Sequence, residues 1–293
     1  VNKELARELI GAGVHFGHAA SRWNPKMEPY IFGKRGMIHI INVKETLKGL
    51  LIAKKLLATV VSSGKDVVFV GTKRQAQKAV RQAAEKCGMH YVSERWLGGT
   101  LTNFRTIRTR LARLEELEEM ERSGHLETES KKQGARLKRE LNKIRTNLDG
   151  IRRMNRLPGV VVVVDAKKEY IALREARKLG VATVAIIDTD SDPDTVDVAV
   201  PANDDSIKAI EILLDELATS AAEGKTMTKP EDTFAAARPV RTRSRRRVLA
   251  TAEGQTVVDE DTDDEAHADS NTGGDDEAAN AASQPAQAES TAQ

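Results

Sequence analysis

Residues 160–164 are five consecutive valines. A strand with no polar position has no face to offer water, so it must be covered on both sides. The same demand recurs at Asp66 to Val70, Ala182 to Ile187 and Val196 to Val200, with a shorter run at His90 to Val92. Between these runs the apolar spacing turns helical, over Leu47 to Gly64, 73–86, 167–179 and 204–222. Apolar strands alternating with helices predict an α/β fold: a doubly wound, mainly parallel sheet of five strands with right-handed crossovers.

One stretch breaks the rhythm. Arg95-Trp-Leu-Gly-Gly-Thr-Leu-Thr-Asn103 joins the α/β pattern to a long, highly charged helical segment. Its paired glycines allow backbone conformations closed to other residues, and Thr102 or Asn103 is suited to cap the next helix. Within 104–156, Phe104, Ile107, Leu111, Leu114 and Leu117 are mirrored by Leu137, Leu141, Ile144, Leu148 and Ile151. Laid antiparallel, 104 meets 151, 107 meets 148, 111 meets 144 and 114 meets 141. The spacing predicts an antiparallel coiled-coil α-hairpin turning near Ser123 to Ser130, an arm on the order of 30 Å long.

Charge divides along that arm. At the far end Glu115, Glu116, Glu118, Glu119 and Glu121 are expected to neutralise Lys131, Lys132, Arg136, Lys138 and Arg139. At the root Arg105, Arg108, Arg110 and Arg113 come beside Arg145, Arg152, Arg153 and Arg156 with few acids between. A solvated helical face is one reading of that root; the sharper one is a phosphate-binding surface, since such dense cationic repulsion needs a polyanion.

The net charge of +2 over 293 residues hides an asymmetry. From Lys225 onward there are 8 basic and 14 acidic residues, leaving residues 1–224 with 38 basic and 30 acidic, a net of +8. The segment 225–293 combines an arginine cluster (Arg238 to Arg247) with an acidic, low-complexity run (Asp259 to Glu277), and it is expected to be disordered. This gives three parts: a globular domain of 1–103 and 157–224, the hairpin 104–156, and the tail. A single cysteine, Cys87, excludes an internal disulfide and a Cys-rich zinc site. No apolar run approaches the ~18 residues of a membrane span, and the chain reads as cytoplasmic.

The N-terminal region has an amphipathic helix over 3–12, a short apolar segment Tyr30 to Phe32, a basic turn Gly33-Lys34-Arg35-Gly36, and a strand Met37 to Ile41. Two candidate chemistries follow. Gly71-Thr72-Lys73-Arg74 sits where a phosphate loop would lie, yet neither GxxxxGK[ST] nor GxGxxG occurs, and Lys73 and Arg74 at a helix start suit an RNA phosphate equally well. His18 and the late aspartates meet at one rim of the sheet on this topology. Either His18, Asp188 and Asp205 hold a divalent cation, zinc or magnesium, or the histidine is hydrogen-bonded in the core and the aspartates serve as turn and N-cap residues, Asp204 in particular. Aromatic residues make up 3% of the chain, which disfavours a base-stacking reader of single strands.

The runs GVHFGH (13–18), WNPKM (23–27), HIIN (39–42), FVGTKR (69–74), RWLGGTLTN (95–103), DTDSDPD (188–194) and PANDDSIKAI (201–210) resemble the family of bacterial small-subunit ribosomal protein S-two. The likeness covers about residues 3–225 and includes the helical insertion. It implies a Rossmann-like domain with a protruding hairpin, bound to 16S rRNA among neighbouring ribosomal proteins, with a part in docking the large mRNA-binding protein S-one. It implies no catalysis, no required cofactor and no small-molecule substrate. The residues expected to grip rRNA phosphates are Arg22, Lys26, Lys34, Arg35, Lys73, Arg74, Arg95, Arg105, Arg108, Arg110, Arg152 and Arg153. The rival readings are a nucleotide or sugar-phosphate enzyme and an interaction module free of the ribosome; neither accounts for the basic root.

Overall fold

The computed structural model describes residues 3–125 and 130–227. The expected tail, apart from its first three residues, lies outside them.

Five parallel strands form the central sheet in the order β5 (His90–Val92), β4 (Val67–Val70), β6 (Val160–Val164), β7 (Ala182–Ile187) and β8 (Val198–Pro201). The valine run is the middle strand: Val160 pairs with Val67 on one side and Ala182 on the other. Successive side chains alternate between two cores, as strand geometry requires. Val67, Phe69, Val160, Val162, Val164, Val184 and Ile186 pack beneath α2 (Val43–Ser62), α3 (Gln77–Cys87) and α7 (Ile207–Thr226). Val68, Val70, Val161, Val163, Ala185 and Ile187 face α6 (Tyr170–Leu179), Trp96, Leu101 and the two helices of the insertion. All five valines of β6 are fully buried, which is why no polar residue interrupts them.

The insertion folds as α4 (Phe104–Arg122) and α5 (Lys131–Leu148). Ile107, Leu111, Leu114 and Leu117 of α4 are buried in one cluster with Leu141, Ile144, Leu148 and Ile151. Stepping forward along α4 from Arg108 through Glu118 to Glu121, polar partners step back from Asn155 through Arg152 to Arg145, the antiparallel sense. Asn103 stands at the N-terminus of α4 but its side chain accepts from Thr106 Oγ1, with no side-chain cap bond to the helix backbone.

Sequence reasoning missed a second sheet. Phe16–Ala19 (β1), Ile31–Arg35 (β2) and Ile38–Ile41 (β3) form an antiparallel sheet ordered β1-β3-β2, following the helix α1 (Lys3–Gly11). Lys34 and Arg35, read as part of a turn, are the last residues of β2. The reversal falls at Gly36 and Met37. These strands are four or five residues long and half exposed, and Gly17 and Gly33 interrupt them, so no period-2 signal accumulates. Lys225, placed in the tail, is still within α7, and its ammonium donates to the carbonyls of Cys87 and Gly88.

Phe69 is fully buried in a central strand and is among the largest side chains of its core. Replacing it with Ala is expected to cost about 3–5 kcal/mol, read as a lowered urea midpoint at unchanged slope.

Candidate nucleic-acid interface and acidic crevice

The RWLGGTLTN stretch is built around a residue the sequence reading did not select, Glu175 of α6. Its Oε1 accepts from Trp96 Nε1 at 3.2 Å and Gly99 N at 2.7 Å. Its Oε2 accepts from Leu101 N at 2.9 Å, Thr102 N at 3.2 Å and Thr102 Oγ1 at 3.3 Å. Burial alone would raise the carboxyl pKa, but the donors from Gly99, Leu101, Thr102 and Trp96 outweigh it and hold it below the usual carboxylate value. One buried carboxylate thus satisfies three loop N–H groups between β5 and α4. The signal that reveals it is an acid on the buried face of α6, between Leu173 and Ala176.

Arg95 is exposed next to buried Trp96, and α4 carries a row of arginines away from the loop. The expected charge pattern is only half realised. Arg145 pairs with Glu118 (3.2 Å) and Glu121 (3.3 Å), and Arg152 with Glu118 (2.7 Å) and Glu115 (3.9 Å). Arg113 is taken by Glu116 (2.8 Å), and Arg156 by Asp66 (3.1 Å). The α4 acids are therefore spent on Arg113, Arg122, Arg145 and Arg152; no ion pair joins them to Lys131, Lys132, Arg136, Lys138 or Arg139 among the described residues. The apolar spacing predicts helix as far as Ile151. The helix ends at Leu148 and a 3-10 turn, Asp149–Ile151, follows, after which Arg152 reaches Glu118.

What remains at the root is distinct. Arg105, Arg110 and Arg153 are exposed and have no acidic partner among the described residues, and Arg108 donates only to Asn155. Arg22, Lys34, Arg35, Arg74 and Arg95 are also exposed without an acidic partner among those residues. Lys26 is held by Asp192 (2.9 Å) and Asp194 (2.8 Å).

Lys73 is in another situation. The order β5-β4-β6 means the chain leaves β4 in one direction and returns on its other side, the switch point where doubly wound folds usually bind ligands beyond the carboxyl ends of their strands. Here that crevice is filled by protein charge. Lys73 Nζ contacts Asp205 (2.6 Å), Asp204 (2.8 Å) and Asp165 (3.8 Å). Burial works to lower the pKa of the ammonium, but the bonds to Asp204 and Asp205 outweigh it and hold it above its ordinary value. The helix α3 begins only at Gln77, so Lys73 and Arg74 precede it and no phosphate-cradling helix start forms at Gly71. Asp165, the residue after β6, stands at φ 70° and its Oδ1 accepts from the backbone N–H groups of Lys167 and Lys168.

Across the crevice His18 of β1 meets Asp188 at the end of β7, Nδ1 to Oδ2 at 2.7 Å, and its Nε2 lies 3.5 Å from Asp205. The hydrogen bond to Asp188 raises the imidazole pKa to about 9. The three residues foreseen as a cation set therefore do converge, and Asp204 joins them. Asp204 is not the N-cap of the last helix; Ser206 fills that role. Asp204 is instead almost wholly buried, and burial pushes its carboxyl up to about 7. A Cβ on Gly17 would lie 2.6 Å from Thr189 Cγ2, so only glycine lets β1 come this close to the end of β7.

Glu175→Gln places an amide donor against loop N–H groups, and it is expected to cost about 2–3 kcal/mol at neutral pH. Since folding depresses the Glu175 pKa, its contribution is full above the unfolded value and is lost as pH falls through the folded one. Urea melts between pH 3 and 7 are expected to show the gap between wild type and variant narrowing toward the acid end.

Comparison with known proteins places this geometry. The family model described as Ribosomal protein S2 matches residues 9–224. Small ribosomal subunit protein uS2 of Rhodopirellula baltica is 53% identical over 228 residues, covering 78% of this chain and 88% of the relative. Small ribosomal subunit protein uS2c of Rhodomonas salina is 52% identical over 229 residues, covering 77% and 94%. The uS2 protein of Koribacter versatilis is 49% identical over 221 residues, covering 75% and 73%. The chain belongs to the ribosomal protein S2 family, and so to the structural, non-enzymatic proteins of the small ribosomal subunit.

Proposed function

We propose that this protein binds 16S rRNA through phosphate and shape contacts, with the α/β body and the helical insertion 104–156 as two surfaces of one clamp. The observation that carries the reading is the sorting of arginines at the insertion's root. Arg113, Arg145, Arg152 and Arg156 are spent on carboxylates, whereas Arg105, Arg108, Arg110 and Arg153 are not, among the described residues. Unspent guanidinium groups close together repel one another, and a phosphate backbone relieves that repulsion while releasing its condensed counterions. Arg95, Arg74, Arg22, Lys34 and Arg35 extend the surface over the body. Lys26, Lys73 and Arg152 make a smaller contribution because their carboxylates would have to be displaced first.

The acidic crevice supports the same reading. A nucleotide or sugar-phosphate enzyme needs its switch-point lysine for the ligand, and here Lys73 serves Asp204 and Asp205. In this account the globular body spans 1–103 and 157–224 and the insertion acts as a coiled-coil arm. The protein works on ribosomes in the cytoplasm and takes part in seating neighbouring small-subunit proteins, the large mRNA-binding protein S-one among them.

The test is the salt dependence of binding to 16S rRNA. Arg105→Ala with Arg110→Ala is expected to weaken affinity and to reduce the slope of log K against log salt by roughly 1.5–2 units, with little change in sequence preference. Arg113→Ala, which removes an already paired guanidinium, is expected to leave the slope almost unchanged. Equal slopes for wild type and the double variant would refute the root as a phosphate-binding surface.

A further inference from the structure

We propose that the outward face of α6, with the head of α4 beside it, is a further RNA-binding site, a groove in which Arg174 and Lys178 take phosphates of the backbone that the insertion's root grips. The site rests on the rRNA reading above and adds residues to it. Between Ala166 and Gly180 the chain carries two acids, Glu169 and Glu175, and five cations. Both acids are turned inward and buried, whereas Lys167, Lys168, Arg174, Arg177 and Lys178 all stand exposed. The outside of this segment is therefore wholly cationic. Lys167 is spent on Asp190 (3.0 Å), and Arg177 donates to the carbonyl of Asp194, whose carboxylate is held by Lys26. Arg174 and Lys178 have no acidic partner among the described residues. Four residues apart on one helix, they are neighbours about 5–6 Å apart at Cβ, and like charges so placed destabilise a helix. Attraction to the helix C-terminus accounts for Arg177 and Lys178 in the last turn, but Arg174 stands outside that turn.

Shape and surroundings favour a nucleic-acid backbone as the occupant. An open groove of about 610 Å³ lies on this face, lined by Thr102, Ile171, Arg174, Glu175, Arg177 and Lys178. Its one acid is already compensated, because both oxygens of Glu175 are turned to Trp96 and to the loop donors of Gly99, Leu101 and Thr102. Ile171, 39% exposed, gives the groove an apolar wall against which a ribose can lie. A guanidinium and an ammonium together suit phosphate oxygens, the one through its planar fork and the other as a point charge. Thr102 joins the groove to the insertion's root, since Arg105, one of the unspent arginines, follows three residues after it. The polyanion that relieves the root and the one that relieves this groove can therefore be a single chain. Contacts of this kind fix the position of the RNA and carry no base preference.

The test measures binding of the full chain to 16S rRNA over a series of salt concentrations, with Arg174→Ala and Lys178→Ala combined in one variant and Arg105→Ala with Arg110→Ala in another. Both side chains of the groove variant are exposed, so its melting temperature is expected to match wild type. The groove variant is expected to lower the slope of log K against log salt by roughly 1.5–2 units, with the loss in affinity equal for matched and unrelated sequences flanking the site. Single Arg174→Lys is expected to keep the slope, because the charge remains. A slope unchanged in the groove variant but lowered in the root variant overturns the groove and leaves the rRNA reading standing; slopes unchanged in both overturn the two together. In small subunits assembled with a photoreactive group at Ile171, crosslinks are expected to fall on 16S rRNA. Crosslinks to an acidic stretch of a neighbouring protein instead overturn RNA as the occupant.

Discussion

The carboxylate of Glu175 is the interaction on which the rest of this structure depends. It gathers Trp96, Gly99, Leu101 and Thr102 onto one buried charge. Through Trp96 and Leu101, the same loop sits in the core that covers one face of the sheet. The loop also sets where α4 begins, and so where Arg105, Arg108 and Arg110 stand relative to Arg95. A loop of irregular backbone carries N–H groups that neither a sheet nor a helix satisfies, and burying them without acceptors is unaffordable. A single ionised acceptor on a neighbouring helix resolves several of them at once, and fixes a direction for the chain leaving the sheet.

The second determinant is the way the crevice is filled. Doubly wound folds present helix N-termini and strand ends to a ligand at their switch point, and many enzymes exploit this. In this chain the lysine that would meet an anion is neutralised internally by aspartates, and the glycine at the end of β4 is packed against Val80 and Ala76. Glu169, raised by burial, takes the backbone N–H of Thr72 at 3.0 Å, one of the donors a phosphate loop would keep free. The fold is retained while its usual ligand position is turned into an ion-pair network. Positive charge available to an outside partner is left at the insertion's root and on the exposed edge of the body.

How far the sequence foretold this depends on how each element is stabilised. The five parallel strands were legible because burial on both faces enforces unbroken apolar runs, the valines of β6 most plainly. The insertion's helices were legible because their apolar spacing has one period. The antiparallel sheet was not, since strands as short as Phe16–Ala19 draw their order from pairing and from packing against the larger body. Glu175 was missed because an acid within a helix reads as solvated unless its place on the buried face is weighed. Convergence of His18 with Asp188 and Asp205 followed from placing strand ends at one rim, but the burial of Asp204 and its bond to Lys73 are three-dimensional facts. Arg152 and Arg145 were misassigned to an unpaired root because spacing gives neither the end of α5 nor the reach of a guanidinium.

The measurement that tests the central claim most directly is crosslinking of the protein to RNA in living cells, with sequencing of the RNA and mapping of the crosslinked peptides. The account predicts sharp enrichment of a few 16S rRNA segments, with peptides containing Arg105, Arg110 and Arg153 among the crosslinks. Absence of 16S rRNA, or crosslinks spread evenly over RNA with none at the insertion's root, would contradict it.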